Sequence, residues 1–327
     1  MAYDASLSRA VLRAFVGAVA AYYRRHAREA GLGGRAHTGA VTIVQRFAQT
    51  LALDPHYHSL VPDGVWVVGK DGAPGFFAFA APGADEVAAV AADVARRVQR
   101  LCARRGQPLD ASGGEPADDA LTEREAALAA MAGASVQGLI ATGRRRGCRV
   151  MRMGQTPDAP LAFVKAGLCA DVAGFDVHAG VRVAASDRAG LERLCRYLAR
   201  PPLASDRLSQ PGDGRIALAL RKPLRDGATH LVFEPHELLE KLSALVPAPW
   251  SHQTLFHGVF ASAAKLRPAI VPAPAEAAAL AATPGQPAGA PSDATATTTT
   301  PAPDHQDSPA SRKRRIAWAS LLARVFD

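Results

Sequence analysis

From residue 272 to 311 the chain is dominated by Ala, Pro, Thr and Gly, a composition too poor in large apolar side chains to offset the entropy lost on ordering. A core must then come from residues 1–271, and 272–311 reads as a disordered linker. Beyond it, Arg312-Lys313-Arg314-Arg315 precedes Ile316-Ala317-Trp318-Ala319-Ser320-Leu321-Leu322. Residues 312–327 therefore read as a solvated basic segment and a short amphipathic helix. The chain is 48% hydrophobic, enough to fill a sizeable core in a domain of this length.

Within 1–271 the hydrophobic period switches repeatedly. Leu7, Val11, Phe15, Ala18 and Tyr22 recur at helical spacing from the start. Arg9 and Arg13 interrupt that run, and it lacks a cleavage-type ending, so it reads as an amphipathic helix and not a signal peptide. Strands are expected at 41–47 and around His56. Pro62-Asp63-Gly64 is a hairpin signal between apolar runs, and 65–68 and 76–79 follow it as further strands of an antiparallel meander. Val87, Val90, Val94, Val98 and Leu101 predict a helix over 84–104, and a second is expected over 121–142. The Gly143-Arg144-Arg145-Arg146-Gly147 turn fits either a solvated basic loop or a phosphate contact.

Further on, 175–183 reads as a strand. Ser186 is placed to cap a helix carrying Leu191, Leu194 and Leu198, which Pro201-Pro202 stops. Strands at 215–221 and 229–234 precede a helix at 235–245. Helices interspersed with antiparallel strands make the fold class α+β, a central antiparallel sheet with flanking helices.

The formal charge is +8, carried largely by arginine, and so basic a domain favours polyanion partners such as nucleic acid. Four cysteines stand without CxxC spacing, which fits reduced thiols in a cytoplasmic protein and neither a zinc knuckle nor a disulfide framework. No apolar run is long enough to predict a membrane span.

In Asp54-Pro55-His56-Tyr57-His58-Ser59-Leu60 two imidazoles stand two residues apart, and strand alternation puts both on one face. Tyr57 must then point the other way, into a core. A pair so placed can ligate a metal, and it can equally be two structural strand histidines. Gln45 shares a strand face with Val41, Ile43 and Phe47, where an amide either stands beside a metal or is hydrogen-bonded by backbone. Tyr197 lies in the last turn of its helix among Arg193, Arg196 and Arg200.

Several segments together carry a resemblance. They are Ala40-Val41-Thr42-Ile43-Val44-Gln45-Arg46-Phe47, Pro55-His56-Tyr57-His58-Ser59-Leu60, the run from Leu191 through Arg196-Tyr197-Leu198-Ala199-Arg200-Pro201, Thr229-His230-Leu231-Val232-Phe233-Glu234-Pro235, and Phe256-His257-Gly258-Val259-Phe260 with Lys265-Leu266-Arg267-Pro268. In this order the chain resembles the rolling-circle insertion-sequence transposases of the HUH endonuclease superfamily, over residues 2–272. Some relatives carry a second tyrosine four residues on. Here that position is Pro201, as in single-tyrosine, common-region-like members. Relatives also carry a cysteine-rich zinc-binding segment before the Ala2-Tyr3-Asp4 region, and many continue past the 318–322 helix, so the chain reads as truncated at both ends.

The resemblance implies that His56 and His58 bind Mg²⁺ or Mn²⁺ with an oxygen ligand, for which Gln45 is the candidate. It implies that Tyr197 attacks the scissile phosphate of single-stranded DNA, or of a hairpin at the element's terminus, leaving a 5′-phosphotyrosine. No membrane and no small-molecule cofactor beyond the metal is expected. Arg193, Arg196 and Arg200 would assist the phenol, a weak nucleophile at neutral pH. Lys222, Arg225, Lys265 and Arg267 are candidate phosphate contacts, with solubility as the alternative. Two rival functions remain: a catalytically silent DNA-binding remnant, and a small-molecule metalloenzyme using the same histidines.

Overall fold

The computed structural model describes residues 3–32, 36–106, 120–155 and 168–272. The expected linker, from residue 273 onward, and the segment at 312–327 lie outside them. In chain order the elements are α1 (Ala5–Glu29), β1 (Ala36–His37), β2 (Gly39–Phe47), β3 (Leu53–Leu60), β4 (Gly64–Val68), β5 (Pro74–Ala78), α2 (Ala84–Arg104), α3 (Ala120–Arg124), α4 (Ala126–Gln137), β6 (Met151–Gln155), β7 (Cys169–Val172), β8 (Phe175–His178), α5 (Arg188–Leu198), β9 (Leu208–Ser209), β10 (Ile216–Ala219), β11 (Ala228–Phe233), α6 (Pro235–Leu245), β12 (Thr254–Gly258) and α7 (Arg267–Ile270). The class is α+β. Among the described residues no helix is long and apolar enough to cross a membrane.

The strands pair antiparallel in four sheets, ordered β12-β2-β3, β1-β4-β5, β6-β11-β10-β9 and β7-β8. The expected meander through Asp63-Gly64 is therefore cut in two: β3 pairs with β2, whereas β4 joins β1 and β5. Gly64 is needed for another reason, since a Cβ there would meet the Phe77 carbonyl oxygen at 2.0 Å. The hairpin turn lies one strand later, between β4 and β5, where Gly69 donates to Ala73 O and Gly72 takes a φ of +82°.

Three local expectations also shift. The 121–142 helix is two helices broken at Glu125, and α4 ends at Gly138, whose φ of +69° makes a left-handed cap. The strand at 175–183 stops at His178, which is exposed. Asp187, not Ser186, caps α5, its Oδ1 accepting from Gly190 N at 2.7 Å. The closer carboxylate is the stronger acceptor for a helix's free amides.

One face of the β12-β2-β3 sheet is turned to α1. Tyr57 packs there among Val11, Ala18, Val94 and Val98 of α1 and α2, and its hydroxyl donates to Ser8 O at 2.8 Å. A second core joins Leu218, Leu231 and Phe233 of β10 and β11 to Ala132 of α4, Leu238 and Leu245 of α6, and Leu51 and Leu53 at the start of β3. These two cores grip β2 and β3 from the ends and from behind, leaving the His56 face to the site.

Candidate active site

Directly opposed residues of an antiparallel pair share a face. Gln45 lies opposite His56 and Ile43 opposite His58, so the amide and both imidazoles stand on the face away from Tyr57. The imidazole centroids are 4.9 Å apart. His56 Nδ1 lies 2.7 Å from Asp54 O. A carbonyl can only accept, so Nδ1 carries the hydrogen and Nε2 presents its lone pair outward, the arrangement that orients a metal-binding histidine. Burial, then the neighbouring His56 and Arg200, pushes the His58 imidazolium down to about 4, so His58 is a neutral base at physiological pH.

The tyrosine comes from α5. Tyr197 is half exposed, and its ring centroid is 6.4 Å from that of His58. Gln45 ties the two halves together: its Nε2 donates to Leu198 O at 2.6 Å, pinning the end of α5 to β2. The other end of the same amide, Oε1, is buried without a partner, and so is His58 Nε2. Unpartnered buried acceptors cost stability, and two of them beside the lone pair of His56 make an N,N,O donor set. That set fits a divalent cation which accepts imidazole and oxygen ligands, such as Mn²⁺, and Mg²⁺ less readily. His56, His58 and Gln45 are the residues that would hold it.

Positive charge collects on the tyrosine side. The Arg200 guanidinium carbon lies 4.0 Å from the Tyr197 ring centroid, and Arg200 Nη1 is buried without a partner. Arg207 is fastened by hydrogen bonds to Ala219 O and Gln49 O, at 2.8 and 3.2 Å, and Arg221 lies within electrostatic reach of both Arg200 and Tyr197. Neither Arg207 nor Arg221 was expected at the site. Arg221 had a signal in its adjacency to Lys222; Arg207 had none, because its place depends on a 3₁₀ turn and two backbone carbonyls distant in sequence.

The other expected contacts divide. Arg193 is exposed one turn before Tyr197, and Arg196 is exposed and paired with Glu192 at 2.6 Å. Gln49 brackets Lys222 through its backbone N and O, holding that residue to the β2–β3 turn near the site. Arg225 is exposed at the tip of the same loop. Lys265 and Arg267 lie beyond β12, with the Arg267 guanidinium over Phe256, and they have no contact with the tyrosine. Of the chain's other histidines, His230 Nδ1 bonds Thr229 Oγ1 and His257 points towards α1.

A different trio, Glu234, His236 and Glu237, also brings possible ligands together. Its carboxylates are already engaged. Glu237 takes Arg145 at 2.9 Å and the Glu234 amide at 3.0 Å, closing the cap of α6.

Residues 39–267 match the family model described as "Putative transposase", a span of well over half the chain that contains every site residue named above. No curated protein and no solved structure matches the chain.

Proposed function

The chain belongs to this transposase family, and we propose that within it the protein nicks and rejoins single-stranded DNA through a covalent 5′-phosphotyrosine at Tyr197, by the rolling-circle route of HUH endonucleases. The observation that supports this reading is the approach of the Tyr197 ring to His58, on the sheet face shared with His56 and Gln45, with His58 Nε2, Gln45 Oε1 and Arg200 Nη1 buried without partners.

In this reading Tyr197 Oη bonds to phosphorus as the P–O3′ bond breaks, the phenol proton leaves, and the departing 3′ oxygen takes one up. Rejoining reverses the exchange: a 3′-hydroxyl attacks phosphorus and the P–O bond to Tyr197 breaks. One phosphodiester is traded for another at each step, so no nucleotide cofactor is needed. A bound Mg²⁺ or Mn²⁺ supplies polarisation of a phosphate oxygen. Arg200 holds the ring and sets positive charge where the phenolate forms. Gln45, by fixing Leu198, keeps the nucleophile's turn against the histidine strand.

The test is a denaturing gel of protein incubated with Mn²⁺ and single-stranded DNA from an element terminus. Wild type should yield a protein–DNA adduct that EDTA prevents. Tyr197→Phe should abolish it while DNA binding persists, and His58→Ala should lower it by about 100-fold or more. Salt-sensitive DNA binding by wild type with no adduct would instead establish a catalytically silent remnant.

A further inference from the structure

The face of the β12-β2-β3 sheet that carries the histidines does not end at them. Thr254 lies opposite Ile43 and Phe256 opposite Val41, so Phe256 stands on the site's own face, 50% exposed. The Arg267 guanidinium lies 5.6 Å from its centroid and also binds Phe260 O. Further along, the Phe260 ring packs close on Gly39, where a Cβ would meet it at 2.9 Å. Phe260 touches Trp66 with centroids 5.4 Å apart, and Trp66 touches Phe76 at 4.8 Å. Phe76 is 44% exposed. Phe256, tied through Arg267 to Phe260, and the touching rings of Phe260, Trp66 and Phe76 thus extend away from the histidines, beginning beside Val41 and passing Gly39, and Gln45 to Gly39 alone spans roughly 20 Å of strand.

We propose that this run, from Phe256 through Phe260 and Trp66 to Phe76, is a stacking platform for unpaired nucleobases of the strand whose phosphate enters the pocket. The proposal rests on the catalytic reading above for its direction along the strand. Two features choose nucleic acid over a protein partner. Phe256 shares its sheet face with His56 and His58, beside which Arg200 and Arg221 lie near Tyr197, and the charged group of the platform itself is the Arg267 guanidinium. Rings beside a cation accept any base face, which suits single-stranded and not duplex DNA. Phe256 and Phe76 are exposed at the two ends of the run, with Phe260 and Trp66 half-buried between them, so ring surface is open to an occupant at both ends.

Trp66, Trp250 and Trp318 are the chain's three tryptophans, so a Trp250→Phe/Trp318→Phe full-length protein reports on Trp66 alone. In metal-free buffer, a single-stranded oligothymidylate should quench Trp66 fluorescence, and a duplex of equal length should do so far less. Phe256→Ala and Phe76→Ala should each weaken single-strand binding by about five- to hundred-fold. An abasic nucleotide at the matching position should weaken wild type but add nothing to the variant. Tight binding without quenching, unchanged affinity in both variants, or equal quenching by duplex would overturn the platform. So would concentration-dependent dimerisation of wild type that Phe256→Ala abolishes, because a second copy would then be the occupant. Covalent adduct without Trp66 quenching sinks the platform alone; quenching without adduct sinks the catalytic reading alone.

Discussion

A histidine that is to offer a lone pair must resist protonation, and His58 does so through burial, assisted by His56 and Arg200. That resistance has a stability consequence whose sign is fixed. The unfolded chain takes up a proton near pH 6.5, whereas folded His58 does so only near pH 4. Acidification through that window therefore favours the unfolded state. His257, lowered by burial, acts in the same direction. Metal-free protein should lose urea-unfolding midpoint as pH falls from about 6.5 to 4, and His58→Gln should flatten part of the slope; a His58→Gln profile as steep as wild type would contradict this account. Alternation alone put His56 and His58 on one face and Tyr57 on the other. The burial that neutralises His58 comes from elements distant in sequence, and no local pattern encodes it.

Helix α6 shows the same division at the next scale. Its bounds are legible from Pro235 at the first turn and from Leu238, Leu242 and Leu245. Its inward face is not, because Glu237, Glu240 and Lys241 are all buried where a sequence reading would put polar residues in solvent. Glu240 accepts from Ala141 N, Thr142 N and Thr142 Oγ1 at 2.7 to 2.9 Å. Lys241 reaches Leu139 O, and Glu237 takes Arg145. The basic 143–147 turn is thus a structural clamp at Arg145, with Arg144 and Arg146 left exposed. Glu240→Ala should cost about 3 kcal/mol by leaving the buried Ala141 amide without its acceptor and the buried Lys241 ammonium without its ion-pair partner. Equilibrium urea denaturation measures it, and a loss under about 1 kcal/mol would show the loop to be held by other means.

For the whole molecule, Arg200, Arg207 and Arg221 lie near one another on the tyrosine side, and Arg267 lies over Phe256. If four of Arg193, Arg200, Arg221, Lys222 and Arg267 neutralise phosphates, the logarithm of single-strand affinity should fall with log salt at a slope of about −3. Fluorescence titration across salt concentrations gives that slope, and a value near zero would remove the phosphate role from these residues. By itself the sequence determined the α+β class and the helices at 84–104 and 235–245, and the order of its segments around Gln45, His56, His58 and Tyr197 carried the transposase resemblance that the family model matches over residues 39–267. These follow from periodicity and from residue order, which are properties of the chain alone. Only the tertiary structure decided which strands share a sheet, that Gln45 fastens the tyrosine helix to the strand beside the histidines, and that Phe256 stands on the face that carries His56 and His58. Those arrangements include pairing between residues more than two hundred positions apart, where the free energy lies in contacts that no local window contains.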